Sequence, residues 1–180
     1  MKNSPVIRIA SVSDAPGVSR LLRSAMLTYC ADSGISSTML EAMTESIESV
    51  ADRIEHQTCL IAVKDDEIVG SICIKNVPNP LVYNFSDKTY ELLKNAKTCC
   101  YISRFAVKQQ FRKTGLGIDL ITMAIEIAAK NGADLILLHS AACNENMVDF
   151  YGKRGFELID SENSRGYMRG LFANTSFRSY

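Results

Sequence analysis

Phe105-Ala106-Val107-Lys108-Gln109-Gln110-Phe111-Arg112-Lys113-Thr114-Gly115-Leu116-Gly117-Ile118 is the stretch on which the reading of this chain turns. It lies where a strand-like run over 99–107 gives way to a helical pattern over 115–130. The first turn of a helix leaves N–H groups unpaired and carries a partial positive charge, so it attracts anions. Glycines at 115 and 117 let backbone come close to a ligand that a Cβ would hold off. From Tyr101 to Ile118 there are four basic residues, Arg104, Lys108, Arg112 and Lys113, and no acidic one. In a chain with 20 Lys+Arg against 20 Asp+Glu, that local excess points to a phosphate-bearing ligand. The pattern is R-x-x-G-x-G. A Walker loop would need Lys-Ser or Lys-Thr after its second glycine, and a dinucleotide fingerprint would need a glycine where Leu120 stands.

Downstream, 135–138 is a continuous apolar run, as expected of a strand buried on both faces. Strand, helix and strand then make a βαβ unit of about forty residues. Asp119, Thr122, Glu126 and Lys130 leave a single narrow polar stripe on the helix, so it must be covered on most sides. Asn131-Gly132 stops it. A further helix is expected over 144–153, ended by Gly155, and strands over 156–159 and 167–172 close the chain. Upstream, Val6 to Ile9 reads as a first strand. Ser13-Asp14-Ala15-Pro16 starts a helix whose apolar face is Val18, Leu21, Leu22, Ala25, Met26 and Tyr29, and Gly34 breaks it. Met39, Leu40, Met43, Ile47, Val50 and Ile54 form a second periodic run. Strands over 58–63 and 68–77 flank Lys64-Asp65-Asp66-Glu67 as an antiparallel hairpin. Pro78-Asn79-Pro80 ends the second strand, and 78–98 reads as an insertion over the sheet with a short helix around 88–95.

A chain of 180 residues, 47% hydrophobic and 22% charged, has the composition of one globular domain. That excludes a disordered or collagen-like protein. Balanced charge gives no electrostatic reason to expect a nucleic-acid or acidic-membrane partner. No apolar run approaches the roughly 18 residues that span a bilayer, and Met1-Lys2-Asn3-Ser4-Pro5 has no signal-peptide core. Cys99-Cys100 are adjacent, and Cys30, Cys59, Cys73 and Cys143 lie apart with no C-x-x-C pair, so neither a disulfide framework nor a zinc site is expected. The six cysteines read as reduced, mostly buried thiols of a cytoplasmic protein.

Phe105-Ala106-Val107, the R-x-x-G-x-G turn, the 135–138 strand and Asn144-x-x-Met147-x-x-Phe150-Tyr151-x-x-x-Gly155-Phe156 follow one another in an order and spacing that resembles the GCN5-related N-acetyltransferase (GNAT) family. The resemblance covers 7–172 and is most specific over 102–156. It implies an α/β fold: a single N-acetyltransferase domain over 1–180, with a mixed central sheet of six to seven strands flanked by helices and splayed at the coenzyme site. It implies transfer of an acetyl group from acetyl-CoA to a primary amine of a small-molecule or protein acceptor. Transfer is by direct attack, so no cysteine is needed.

The resemblance also implies roles for particular residues. Backbone groups of Phe105, Ala106 and Val107 would pair with the pantetheine arm. Amides of Arg112, Lys113, Thr114, Gly115, Leu116 and Gly117 would cradle the pyrophosphate, with Arg112 or Lys113 also reaching phosphate oxygens. Asn144 matches a position that contacts the coenzyme arm, or it caps a helix. Tyr151 matches the tyrosine that faces the thioester sulfur, a general acid for the leaving thiolate, or it is a core aromatic. An N–H of Phe105 or Val107 would hold the oxyanion. No base stands out; His139 at the end of the buried strand is one candidate, and Ser103 and Glu67 are weaker ones. The Gly34 region and the 78–98 insertion would select the acceptor. Two other readings stay open. One is a toxin-like acetyltransferase of aminoacyl-tRNA, against which neutral charge counts. The other is a non-catalytic CoA-binding regulatory module, against which Tyr151 counts. A homodimer is compatible with all of these.

Overall fold

Asp65 and Asp66 both take left-handed backbone conformations, φ 49 and 62. That is what a tight two-residue hairpin turn demands of its central pair. In the computed structural model, which describes residues 4–163 and 165–177, this turn joins β2 (Thr58–Lys64) to β3 (Glu67–Val77). The other strands are β1 (Val6–Ile9), β4 (Cys99–Val107), β5 (Leu135–Ala141), β6 (Glu157–Glu162) and β7 (Arg169–Asn174). The helices are α1 (Ala15–Ser33), α2 (Glu41–Thr44), α3 (Ile47–His56), α4 (Asp87–Asn95), α5 (Leu116–Lys130) and α6 (Glu145–Gly152). Among the described residues the strands form a seven-stranded sheet in the order β1-β2-β3-β4-β5-β7-β6. It is mixed: β1–β2, β2–β3, β5–β7 and β6–β7 pair antiparallel, and β4–β5 pair parallel. The β4–β5 ladder runs from Cys99↔Leu135 to Ile102↔Leu138 and ends there. None of the described helices is long and apolar enough to cross a membrane.

The chain gathers into two compact units. The first takes in the residues up to Ile74 together with Ser103–Ala124. Val18, Leu21, Leu22 and Ala25 of α1 and Val50 and Ile54 of α3 pack there against Cys59, Ile61, Cys73 and Ala106. Gly34 ends α1 in the left-handed conformation and returns its N–H to Cys30 C=O at 2.9 Å. The second periodic run is not one helix. Glu45 is extended (ψ 128) between α2 and α3, and Ser46 Oγ caps α3 by accepting from Ser49 N–H at 3.2 Å. Apolar spacing passes unbroken through this cap because Glu45 and Ser46 carry no part of the period.

The cysteines also differ from expectation: Cys59 and Cys73 are joined as a disulfide, and both are 2% exposed. The turn alone, with Lys64 opposite Glu67, would set Cys59 opposite Ile72. A bulge between Ala62 and Val63 shifts the register by one and sets Cys59 opposite Cys73 instead.

The second unit holds Lys75–Ile102 and the chain from Ile125 onward. Leu135, Ile136, Leu137 and Leu138 are at most 1% exposed, as expected of a strand covered on both faces. Leu93 of α4 is fully buried and shares a core with Val77, Cys99, Leu137 and Leu171. The 78–98 segment therefore builds this core as well as covering it. β7 starts at Arg169, two residues later than its apolar pattern suggests, because Gly166 (φ 77) still belongs to the preceding turn.

Candidate active site

The R-x-x-G-x-G turn belongs to the first unit. Lys108 N–H makes a backbone bond to Val69 C=O at 2.9 Å, and a short 3-10 turn over Gln109–Phe111 follows. Arg112 Nε folds back to donate to Val107 C=O at 3.2 Å, and Thr114 Oγ1 donates to Phe111 C=O at 2.7 Å. Lys113 (φ 61) and Gly115 (φ 96) are both left-handed. Among the described residues nothing lies within 4 Å of the place a Gly115 Cβ would occupy. The helix then opens with Ile118 and Asp119 N–H both bonded to Gly115 C=O, at 2.8 and 3.0 Å. Left-handed residues at 113 and 115, with Thr114 between them, are the kind of backbone alternation from which anion-binding concavities are made.

The four basic residues of this segment separate once side chains are placed. Arg104 is bound by Glu45, with Nε to Oε2 at 3.0 Å. Lys108 is bound by Glu67, with Nζ to Oε2 at 2.6 Å. Arg112 and Lys113 have no carboxylate within salt-bridge reach among the described residues, so the local excess of charge rests on these two.

Asn144 and Tyr151 belong to the second unit, at the start and near the end of α6. Asn144 is 3% exposed and caps the helix, its Oδ1 accepting from Met147 N–H at 3.2 Å. Tyr151 is 5% exposed. Its ring meets Phe156 and Phe172 with centroids 5.9 Å away in each case. The structure thus groups Phe105, Ala106, Val107 and Arg112 through Gly117 in one unit, and Asn144 with Tyr151 in the other. Two open concavities, one bounded by Glu91 and Asp134 and one by Lys75 and Tyr83, contain none of these residues.

The model of the acetyltransferase (GNAT) family matches residues 35–156, more than half of the chain. The chain belongs to the GNAT family. It is 28% identical over 132 residues to the uncharacterized N-acetyltransferase YvbK of Bacillus subtilis (strain 168), covering 72% of this chain and 74% of that one. It is 35% identical over 63 residues to N-alpha-acetyltransferase 50 of Danio rerio, covering 34% of this chain and 38% of that protein, well under two thirds of its length. In fold, this GNAT chain resembles the PaiA N-acetyltransferase of Thermoplasma acidophilum, solved in complex with coenzyme A. The TM-score is 0.73 at 21% identity, over 96% of this chain and 99% of that one.

A further cluster in the second unit of this GNAT chain includes a residue that the sequence does not single out. Tyr101 hydroxyl and His139 Nδ1 lie 2.8 Å apart. Tyr83 stacks on Tyr101 with centroids 4.4 Å apart and planes 9° from parallel, and Phe85 lies against His139. Lys75 Nζ sits over both tyrosine rings, 5.8 and 5.6 Å from their centroids. Burial lowers the His139 pKa to about 3, with the charges of Arg169 and Arg165 adding to the effect, so the imidazole is neutral at ordinary pH. His139 Nε2 is covered and has no hydrogen-bond partner among the described residues. The signal that would reveal Tyr101 is register. Tyr101 pairs with Leu137, and His139 is two residues further along β5 on the same face.

Proposed function

We propose that this GNAT-family protein works as a single acetyl-CoA-dependent N-acetyltransferase domain that passes the acetyl group directly to a primary amine. The observation that carries this reading is the turn into α5. Among the described residues Arg112 and Lys113 have no carboxylate partner there, and Lys113 and Gly115 both take left-handed backbone. The amides from Lys113 to Gly117 bind the pyrophosphate, whereas the Arg112 N–H, expected to join them, is held by Gln109 C=O at 3.1 Å; the backbone of Phe105, Ala106 and Val107 pairs with the pantetheine arm. Asn144 holds the arm from the start of α6. Phe105 N–H donates to the thioester oxygen as negative charge builds on it. Tyr151, whose ordinary pKa of about 10 exceeds that of a thiol, supplies the proton to the departing thiolate. The proton that the attacking amine gives up passes to water, because a buried imidazole held at a pKa of about 3 does not take it near neutral pH. Partial matches to N-alpha-acetyltransferases make a polypeptide α-amine the acceptor class to try first, with polyamines, amino acids and aminoglycosides beside it.

The test has two arms. Arg112→Ala with Lys113→Ala should weaken binding of CoA far more than that of a phosphate-free pantetheine thioester; equal losses remove the phosphate assignment. Tyr151→Phe keeps the ring and should cut single-turnover acetyl transfer by about 10²–10⁴-fold at unchanged coenzyme affinity. A wild-type single-turnover rate in that variant returns Tyr151 to a packing role.

A further inference from the structure

β4 is a nine-residue strand with a left-handed residue in its interior, Arg104, φ 53. An L-residue with a long side chain is strained in that region, and such conformations persist only where the surroundings hold them. Here two side chains do so. Ser71 on β3, 1% exposed, donates its Oγ hydrogen to Arg104 C=O at 3.0 Å. Glu45, from the break between α2 and α3, accepts from Arg104 Nε at 3.0 Å and from Nη2 at 3.3 Å. The same carboxylate also takes Arg53. Side-chain exposure is 6% for Glu45, 14% for Arg53 and 21% for Arg104. A charged cluster taken out of water in this way is seldom the cheapest way to fill a core, since apolar residues of similar volume often serve as well or better.

The peptide unit between Arg104 and Phe105 is planar and trans, so its C=O and N–H point in opposite directions. Anchoring the carbonyl on Ser71 therefore directs the Phe105 N–H away from β3. We propose that Ser71 and Glu45 are positioning residues that set the direction of the Phe105 N–H, Ser71 through the carbonyl of the same peptide and Glu45 through the Arg104 side chain. This deepens, and rests on, the assignment of that N–H to the thioester oxygen. Donors of this kind act only when they already point where charge will develop, so a small rotation of the plane costs rate while leaving coenzyme binding intact.

Ser71→Ala changes little volume and removes only the hydroxyl; Glu45→Gln keeps shape and removes charge. Both are to be compared with wild type in acetyl-CoA affinity, single-turnover acetyl transfer and the amide NMR shift of Phe105 on adding acetyl-CoA. The expected result is a fall of about 10-fold or more in transfer rate, affinity within about 2-fold, and a Phe105 shift response that is reduced in both variants. If Glu45→Gln does not fold, Ser71→Ala carries the test alone. Wild-type rates and shifts in folded Ser71→Ala overturn the positioning role while the acetyltransferase reading stands. A wild-type protein that binds acetyl-CoA but transfers nothing to any acceptor overturns both.

Discussion

Glu45 and His139 are both largely withdrawn from water, and the two units meet the cost of that burial differently. Glu45 keeps its charge. Burial alone would raise its pKa, but hydrogen bonds from Arg53 and Arg104 and their charges hold it at about 2. His139 gives up its charge and stays neutral among Tyr101, Tyr83 and Phe85. A charge fixed by two guanidiniums cannot take part in proton exchange near neutral pH, but it can hold backbone in a strained shape. An imidazole whose pKa is held at about 3 takes up no proton near neutral pH either, but it keeps one neutral contact, with the Tyr101 hydroxyl at 2.8 Å. In this protein, then, the mode of burial separates a charged group that holds strained backbone from a neutral group that holds a single side-chain contact.

The largest effect should come from removing the charged side of that comparison. Glu45→Ala removes the carboxylate that Arg53 and Arg104 share, and Arg53 Nη1 already lacks a hydrogen-bond partner among the described residues. Breaking a buried pair by deleting one member typically costs about 3–5 kcal/mol, which urea unfolding at neutral pH would read directly. A loss below about 1 kcal/mol is what an exposed pair gives, and it would mean that the cluster holds nothing.

A smaller effect, with a definite sign, separates the two groups by pH. The folded pKa of His139 lies below its unfolded value of 6.5. Its contribution is therefore present above about 6.5 and is lost as the unfolded chain takes up a proton on the way down toward 3. The folded pKa of Glu45 lies below its unfolded value of 4.5, so its contribution is lost only between about 4.5 and 2. Urea midpoints of the wild type should thus fall already between pH 7 and 5, by roughly 1–3 kcal/mol in stability. His139→Gln should flatten that interval, and Glu45→Gln should leave its slope as it is. An unchanged slope in His139→Gln would mean that the imidazole is solvated, and the comparison would fail.

Much of this architecture is legible from local signals, and both clusters show where such signals stop. The turn into α5 is readable because left-handed backbone and close approach select glycine within a few residues. The Asp65-Asp66 hairpin and the buried β5 run are readable for similar reasons. Glu45 is not, because apolar periodicity runs straight across the break it occupies, and its partner Arg104 is 59 positions away. Counting Arg104 and Lys108 toward a phosphate site follows from the same blindness: Glu45 and Glu67 claim them from distant elements. Tyr101 meets His139 only through the parallel register of β4 and β5, and Cys59 meets Cys73 only through the bulge at Ala62 and Val63. Each missed feature depends on a register or a partner far away in the chain.

The smallest expected effect tests the neutral side most closely. Tyr101→Phe removes one hydroxyl and keeps the ring that stacks on Tyr83, so packing changes little. What is lost is the contact with His139 Nδ1. A hydrogen bond between neutral groups contributes about 0.5–1.5 kcal/mol net. A double-mutant cycle of Tyr101→Phe with His139→Gln should return a coupling of that size, because the single variants share one contact. If the imidazole were protonated at neutral pH, the contact would be charge-assisted and roughly twice as strong. The coupling would then rise above about 2 kcal/mol and weaken as pH climbs through the imidazole's pKa. A coupling of about 1 kcal/mol that stays constant from pH 6 to 8 fits a pair that meets the cost of burial by giving up charge.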